Sequence, residues 1–386
     1  MRFSSKVNSS YYTNRFSEII KLKKEYKGEP PLIDFGIGED KSFPDLKIVS
    51  ELIIKNNRSC NHKYTDRGIS SLHDSILLYL QNRFGVSMTK DEIALTMGTK
   101  QGLGIIPSFM LDDGDIVATT KPGYVVLEKV ATLFNAKIIA LPLDENNNFL
   151  PDLSLIDEET WKKVKILSLN YPNNPTGAVA TVEFYENVIN LAKKYDFLVV
   201  NDAAYLEFTY NEKPLSLLSI EGAKDVAVEL FTLSKSHNMT GYRIGFIAGN
   251  KDVIKQFIKF VDFYDSGQFA PIEYAASKAL ENSNTISEQL KNKYYVRMEN
   301  IVDILNENGL EAHMSPGTFY IYLKVPSCFG SASEFAKRLL NEAGIMTIPY
   351  SDCGEYVRLS MTFEAEYILP FYLSLDKRLR DFMKNL

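Results

Sequence analysis

The stretch "KILSLNYPNNPTGAVATVEFYENVINLAKKYDFLVVND" (165–202) decides the fold of this chain. It begins with a short apolar run and a polar loop, "PNNPTG". Apolar residues then recur at helical spacing from Val182 to Tyr195, and Thr181 stands in the N-cap position. A second apolar run, 197–202, completes the unit. A strand, a helix and a strand within this length predict two parallel strands joined by a right-handed crossover.

Similar units lie on both sides of this stretch. Upstream, "EIALTM" leads into "GTKQGL", and "DIVATTKPGY" leads into "VVLEKVATLF" and then "AKIIALPL". Downstream, the runs "ELFTL" and "RIGFIAG" follow. Together these patterns predict an α/β fold whose large domain has a mostly parallel, doubly wound sheet, buried on both faces.

The two ends of the chain have a different pattern. Residues 14–26 are typical of an amphipathic helix, and a long helical pattern runs from about 284 to Asn308, followed by short strands at 318–325 and 356–362. We therefore expect a smaller α+β domain built from both termini. The predicted boundaries are an N-terminal arm with part of the small domain (1–45), a large domain (46–283) and a small C-terminal domain (284–386).

Composition limits the possible partners. With 45% hydrophobic and 24% charged residues among 386, the chain is an ordinary globular protein, and its net charge of −6 without a basic stripe argues against nucleic acid. No apolar stretch has the length of a signal peptide or a membrane span. Three scattered cysteines fit a reducing cytoplasm, and neither they nor the four histidines have the spacing of metal ligands. We expect a cytoplasmic protein with a small-molecule partner and no metal.

Ligands of such sheets bind at the carboxyl ends of the strands, and polar residues follow five of the predicted strands there. They are Gly98, Thr99 and Lys100 after the first, Tyr124 after the second, Asn174 after the third, Asp202 and Tyr205 after the fourth, and Thr232, Ser234 and Lys235 after the fifth, with Arg243 eight positions beyond the lysine. Each residue alone has an ordinary interpretation as a turn, a cap, a packing residue or a solvated charge. Their occurrence in successive connections of one sheet favours a binding site.

Lys235 indicates which chemistry this set of residues can perform. A lysine at a sheet rim can form a Schiff base with an aldehyde, and pyridoxal phosphate is such an aldehyde. Its ring takes up electrons only while the ring nitrogen is protonated, so a carboxylate must face that nitrogen, and Asp202 suits this role. Tyr205 and Asn174 can donate hydrogen bonds to the phenolic oxygen, and Tyr124 can stack on the ring.

The phosphate of this cofactor needs backbone N–H groups and a cation. Gly98, Thr99 and Lys100, at a predicted helix start, offer the N–H groups. Hydroxyls and a guanidinium come from Thr232, Ser234 and Arg243. The pattern therefore predicts a pyridoxal 5'-phosphate site in which Lys235 holds the aldehyde and Arg243 holds the phosphate.

Motifs along nearly the whole chain carry a family resemblance. They include "IDFGIGED" (33–40), "YTDRGISSLHDSI" (64–76), "MGTKQGL" (97–103), "NYPNNPTG" (170–177), "NDAAY" (201–205), "SKSHNMTGYRIGF" (234–246), "SPGTFYIYL" (315–323) and "YVRLSMT" (356–362). With these motifs the sequence resembles the class I/II, fold-type-I aminotransferases, which depend on pyridoxal phosphate. Within that family it is most similar to the LL-diaminopimelate and aspartate aminotransferase branch.

The resemblance implies further site residues. Arg358 matches the arginine that binds the substrate α-carboxylate, Gly38 matches a glycine whose backbone lies against that carboxylate, and Asn174 also contacts substrate. Tyr64 matches a tyrosine that reaches the cofactor phosphate of the other subunit, which implies a homodimer with shared sites. The segment with Tyr11 and Tyr12 is then expected to lie against the partner or over the site mouth.

The function that follows is an exchange of the amino group between an L-amino acid and a 2-oxo acid by a ping-pong mechanism. Lys235, Asp202 and Tyr205 are the expected catalytic residues, and the freed amine of Lys235 moves the α-proton. One alternative is a pyridoxal-phosphate lyase, decarboxylase or cyclase acting on an amino acid. A second is a non-catalytic module that binds the cofactor; such a protein could lose Arg358 or Tyr64 without harm, and both are present.

Further features of the sequence have more than one interpretation. Arg67 can read an acidic substrate side chain in the partner's pocket or be a solvated loop residue, and Lys100 is a similar candidate for a distal carboxylate. His237 is interpreted as a surface or packing residue and not as a catalytic one, because Lys235 itself can move the proton. Glycines and Pro107 after residue 98 predict an irregular helix start. "GIGEDKSFP" is longer than the usual family pattern, so we expect a different substrate-proximal loop.

Overall fold

The computed structural model describes residues 21–384 of the chain. Its strands are β1 Ile33–Asp34, β2 Ile93–Thr96, β3 Ile116–Lys121, β4 Lys137–Pro142, β5 Val164–Leu169, β6 Leu198–Asp202, β7 Ala227–Thr232, β8 Gly245–Gly249, β9 Tyr320–Lys324, β10 Ile345–Met346, β11 Ile348–Tyr350 and β12 Tyr356–Ser360. The predicted strands of the large domain are all present as β2 to β8.

The helices alternate with these strands through most of the chain. They are α1 Leu46–Asn56, α2 Ser70–Phe84, α3 Thr99–Ile105, α4 Pro107–Met110, α5 Val126–Ala131, α6 Glu158–Trp161, α7 Val182–Tyr195, α8 Ala223–Val226, α9 Leu233–Ser236, α10 Lys251–Tyr264, α11 Ala270–Glu281, α12 Ser283–Glu307, α13 Ala332–Ala343 and α14 Ile368–Lys384.

The large sheet has seven strands in the order β2-β8-β7-β6-β5-β3-β4. Its pairs are parallel except those of β8, which runs antiparallel to both β2 and β7. This confirms the prediction of a mostly parallel sheet. Because the parallel strands point the same way, their carboxyl ends meet at one edge, and the polar residues that follow them are brought together.

The unit at residues 165–202 shows why the sheet is buried on both faces. Residues Leu167 and Val199 pack on one face with the apolar side of α7, whereas Ile166 and Val200 pack on the other. This alternation follows from the two-residue period of a strand. Helix α7 begins as predicted, since the Thr181 hydroxyl accepts a hydrogen bond from the amide of Phe184 (3.1 Å).

The smaller domain uses segments from both ends of the chain, as predicted. Strands β11, β12 and β9 form an antiparallel sheet in that order, and β1 pairs in parallel with β10. Helices α12, α13 and α14 contribute apolar residues to one buried cluster with β9 and β12. Of the predicted helix over 14–26, residues 21–25 are helical, and its first part, like Tyr11 and Tyr12, lies outside the described residues.

The predicted helix irregularity lies further along than expected. Helix α3 begins regularly at Thr99 and ends at Ile105, and α4 begins at Pro107. Proline lacks the amide hydrogen that a continuing helix needs, so the break falls there. Along residues 21–384 each helix is too short or too polar to cross a bilayer. The same range contains no grouping of three or more histidine, cysteine or acidic side chains that could hold a metal ion.

Candidate active site

A cavity of about 340 Å³ lies at the carboxyl edge of the large sheet, where the smaller domain faces it. Its walls contain all the residues that the sequence placed at this edge. They are Gly98, Thr99, Lys100, Tyr124, Asn174, Asp202, Tyr205, Thr232, Ser234, Lys235 and Arg243, joined by Gly38 and Arg358. The size suits a small-molecule site with convergent polar groups.

Lys235 lies in the single turn of helix α9, directly after β7. Its amine donates a hydrogen bond to the backbone carbonyl of Gly38. Burial lowers the pKa of the Lys235 amine to about 8; the charge of Glu39 acts in the opposite direction, and those of Arg358 and Arg243 add to the lowering. A larger share of this amine is therefore neutral near pH 7 than for an ordinary lysine, as a base or nucleophile requires.

Asp202 is the last residue of β6 and is 3% exposed. Its Oδ1 atom is buried and has no hydrogen-bond partner among residues 21–384. Burial raises the pKa of this carboxyl to about 7, although hydrogen bonds from Thr99 and the Ala204 backbone act in the opposite direction. A buried acceptor of this kind is costly unless a donor meets it, so the site is suited to a cationic N–H group.

The Arg243 guanidinium contacts two backbone carbonyls and the hydroxyl of Ser234. Its Nη1 donates to the carbonyl of Thr240 (2.9 Å) and lies 3.4 Å from Ser234 Oγ, and its Nη2 donates to the carbonyl of Met97 (3.0 Å). Within residues 21–384 no carboxylate forms an ion pair with Arg243. The Thr232 hydroxyl lies 2.9 Å from Ser234 Oγ. This cluster of donors is suited to an oxyanion such as a phosphate.

Arg358 is fully buried on β12. Its Nη1 donates to Asn174 Oδ1 (2.8 Å) and its Nη2 to the carbonyl of Gly36 (2.6 Å). The guanidinium carbon lies 4.2 Å from the centre of the Tyr320 ring. These contacts hold the planar guanidinium at one wall of the cavity, and such a group can bind a carboxylate with two hydrogen bonds.

Phenols form a further part of the wall. The hydroxyls of Tyr205 and Tyr320 are hydrogen-bonded at 2.8 Å. Burial raises the pKa of Tyr124 to about 12, and the charges of Asp202 and Tyr320 add to this. The Tyr124 phenol therefore stays protonated at neutral pH and remains a hydrogen-bond donor.

Comparison with known proteins identifies the family. Residues 30–369 match the sequence model of the family described as aminotransferase class I and II. The chain belongs to this family. The LL-diaminopimelate aminotransferase of Methanococcus maripaludis is 40% identical over 362 residues, covering 91% of this chain and 87% of that protein. That of Aquifex aeolicus is 38% identical over 92% of this chain and 93% of that protein.

Solved structures agree with this assignment. Substrate-bound BacF from Bacillus subtilis superposes with a TM-score of 0.92 at 31% identity, covering 99% of this chain and 98% of that one. The aspartate aminotransferase of Thermotoga maritima has a TM-score of 0.88 at 27% identity, covering 99% and 100%. The protein is thus an aminotransferase with the fold-type-I architecture that the sequence predicted.

Two of the residues predicted for this aminotransferase lie outside the cavity. Tyr64 is 89% exposed and does not line it. Arg67 pairs with Asp262 (2.7 Å) at the surface and lines a separate cavity of about 310 Å³. Within one chain, the structure therefore does not bring Tyr64 or Arg67 to the other site residues.

His237 is a packing residue and not a surface one. It is fully buried, and its ring nitrogens lie 2.7 Å from the hydroxyls of Ser236 and Ser283. Burial lowers the pKa of the imidazole to about 3, with a smaller effect from the Arg83 charge. The ring is therefore neutral at physiological pH and packs in the protein core.

Some residues of the aminotransferase cavity were not predicted from the sequence. Tyr320 and Glu39 line it, and the quoted motifs contain both without pointing to either side chain. Asn170 was missed as well. Its amide donates to the carbonyl of Asp202 (2.8 Å) and its Oδ1 accepts from the amide of Asn174 (3.0 Å), so it ties two predicted site residues together. Its place directly before "YPNNPTG", at the end of β5, was the available signal.

Proposed function

We propose that this aminotransferase binds pyridoxal 5'-phosphate in the 340 Å³ cavity and exchanges an amino group between an L-amino acid and a 2-oxo acid. The observation that carries the proposal is the buried Oδ1 of Asp202, which has no partner within the described part of the chain although it shares a cavity with Lys235. A protonated ring nitrogen is a donor with the charge that this carboxylate needs. The residues present therefore fit the cofactor.

Each part of the cofactor has candidate partners among the cavity residues. Arg243, Ser234 and Thr232 would hold the phosphate, helped by the start of α3 at Thr99 and Lys100. Asn174 and Tyr205 would donate to the phenolic oxygen, and Tyr124 would cover the ring face. Support comes from the donor types and their presence in one cavity.

The bound cofactor supplies an aldehyde carbon and a ring that takes up electrons from the substrate. The chain supplies the rest. Arg358 binds the α-carboxylate of the amino acid with its planar guanidinium, and Asn174 orients that guanidinium through their 2.8 Å hydrogen bond. The Nζ of Lys235, whose pKa is lowered to about 8, takes the proton from the substrate Cα and holds it within the cavity.

For the substrate we propose an amino acid with a second carboxylate. The relatives in Methanococcus maripaludis and Aquifex aeolicus are named for LL-diaminopimelate, and the solved Thermotoga maritima structure is named for aspartate. Lys100 lines the cavity with an exposed ammonium and suits a distal carboxylate.

A matrix of amino donors against 2-oxo acids, including LL-diaminopimelate, glutamate, aspartate, phenylalanine and alanine, tests this preference for a second carboxylate. A strict need for an acceptor oxo acid separates transamination from lyase or decarboxylase chemistry.

We also propose a homodimer with shared sites, in the cytoplasm, with domains at 1–45, 46–283 and 284–386. The exposed Tyr64 would then reach the partner's cofactor phosphate, with Arg67 of the same loop near the partner's substrate.

Mixing inactive Lys235→Ala and Tyr64→Phe proteins should restore activity, because a mixed dimer has one site with both residues intact. Absence of any recovery in mixtures that exchange subunits would contradict shared sites.

A further inference from the structure

The loop between β1 and α1, residues 36–42, forms one wall of the cavity and contacts its two key cations. Three successive carbonyl oxygens of the loop accept hydrogen bonds from side chains: Gly36 from Arg358 (2.6 Å), Ile37 from Thr362 (2.8 Å) and Gly38 from Lys235. The position of this backbone therefore sets where the guanidinium of Arg358 and the amine of Lys235 point.

The loop also approaches the cavity closely. A Cβ atom on Gly38 would lie 2.1 Å from the Tyr320 hydroxyl, so only glycine fits without a shift of that ring. A displacement of about 1 Å in a positioning element can lower a reaction rate by about 100-fold. Something must therefore hold the loop in place.

Asp40 holds the loop from the side away from the cavity. Its carboxylate is almost buried, and its Oδ2 accepts hydrogen bonds from Lys293 Nζ and the Tyr294 hydroxyl of α12, both at 2.6 Å. Its Oδ1 accepts from the amide of Ser42 (2.9 Å). Although burial acts in the opposite direction, the hydrogen bonds from Lys293 and Tyr294 lower the pKa of Asp40 to about 2.

We propose that Asp40 is a positioning residue, which fixes the loop at residues 36–42 to helix α12 so that its carbonyls orient Arg358 and Lys235. The proposal rests on the proposed function, because it assigns those two residues to substrate binding and proton transfer. It gives a role to the unusual "GIGEDKSFP" stretch, whose acidic residue at position 40 faces the small domain and not the substrate.

A carboxylate is required at position 40 because three donors converge on it. An asparagine can present its one oxygen either to Ser42 or to Lys293 and Tyr294, and its amide hydrogens would then face donors on the other side. The matched control is Lys41, the next residue of the same loop. Its ammonium pairs with Glu364 (2.8 Å) at an exposed position, where an ion pair contributes little.

The test compares full-length Asp40→Asn, Tyr294→Phe and Lys41→Ala proteins with the wild type. For Asp40→Asn we expect kcat/KM to fall by about 100-fold, with a higher KM for the amino acid as well as a lower kcat, because both Arg358 and Lys235 lose their alignment. Tyr294→Phe removes one hydrogen bond without changing packing volume, so it should fold and show a smaller loss, about 5-fold to 10-fold. Lys41→Ala should stay within about 2-fold of wild type.

A second measurement does not depend on turnover. Acetylation of Lys235 against pH, followed by peptide mapping in full-length protein prepared without cofactor, reports the pKa of its amine. Glu39, Arg358 and Arg243 are the charged groups that influence this amine, and burial lowers its pKa to about 8. In Asp40→Asn the loosened loop admits water, and the labelling profile should shift to higher pH, toward that of a free lysine. Lys41→Ala should leave the profile unchanged.

The outcomes distinguish a positioning role of Asp40 from a purely structural role and from failure of the proposed function. If Asp40→Asn lowers thermal stability while Tyr294→Phe keeps wild-type kcat/KM and both keep the wild-type labelling profile, Asp40 is only a structural residue and the positioning role is wrong. If the wild type transfers no amino group in any donor and acceptor pair, the proposed function fails. A shifted Lys235 profile in Asp40→Asn would in that case still support the positioning of the loop.

Discussion

The cavity has two walls that differ in how the chain builds them. One wall consists of residues that end successive strands of the large sheet, among them Asn174, Asp202 and Lys235. The other joins parts of the chain that are far apart: the carbonyl of Gly36 meets Arg358, 322 positions later in the sequence. The first wall presents the groups suited to the cofactor, and the second presents those suited to the substrate.

This difference explains what the sequence could predict. In a parallel sheet the carboxyl ends of strands share an edge, so local strand and loop patterns were enough to bring Asp202 and Lys235 together. No local pattern places Arg358 beside Gly36, because that contact depends on the pairing of β1 with β10 and of β12 with β9. Arg358 and Gly38 were therefore reached only through family resemblance, and Tyr320 was missed although its motif was recognised.

The burial of His237 shows a similar limit. Its place two residues after Lys235 was compatible with a surface or a packing position, and only the fit of its ring between Ser236 and Ser283 decides between them. The position of the break between α3 and α4 was also beyond the sequence pattern, which indicated poor helix formers without showing that Thr99 starts a regular turn. The position of His237 and the position of this helix break both depend on the folded structure, which local sequence patterns do not show.

Replacing Lys235 should affect activity most, because it removes the amine that acts as the base. This amine belongs to the cofactor wall, which is the wall formed by residues that end successive strands of the large sheet. We expect Lys235→Ala to lower kcat for transamination by about 10⁴-fold, since a positioned general base contributes up to that factor. Steady-state kinetics with a good donor and acceptor pair measure this. Lys194→Ala, which changes an exposed lysine on the same domain, is the control and should keep wild-type rates. Turnover of Lys235→Ala near the wild-type rate would rule out this wall as the catalytic one.

Asp202→Asn should have the next largest effect. A neutral amide cannot stabilise a cationic ring nitrogen, and we expect kcat to fall by about 10³-fold, a loss typical for removal of one preorganised electrostatic group. The amino-acid KM should change little, because Asp202 belongs to the cofactor wall. A large KM increase with unchanged kcat would instead place Asp202 in the substrate wall.

Arg358→Lys should show the reverse pattern. A lysine keeps the charge but cannot form two parallel hydrogen bonds with a carboxylate, so we expect the KM for the amino acid to rise by about 100-fold with a smaller change in kcat. Initial rates over a range of amino-acid concentrations give both constants. Equal losses in kcat for Arg358→Lys and Asp202→Asn, without a KM difference, would show that one wall is not specific to the cofactor and the other to the substrate.

The smallest expected effect concerns the stability of protein prepared without cofactor. Burial raises the pKa of Asp202 from 3.8 to about 7, so its contribution to stability is fully present below pH 3.8 and is lost as pH rises toward 7. Asp202→Asn avoids this loss, so its Tm should exceed that of the wild type by about 5 °C at pH 8 and by less at pH 5. A difference that is independent of pH would mean that Asp202 is not a carboxyl with a raised pKa.

The proposed function requires that the amine of Lys235 bonds covalently to pyridoxal phosphate inside this cavity. Reduction of the protein with borohydride in the presence of the cofactor, followed by peptide mass mapping, shows whether this bond forms. We expect the peptide containing Lys235 to carry the mass of the reduced cofactor and the other lysines to remain unmodified. Labelling of a different lysine, with Lys235 unmodified, would contradict it.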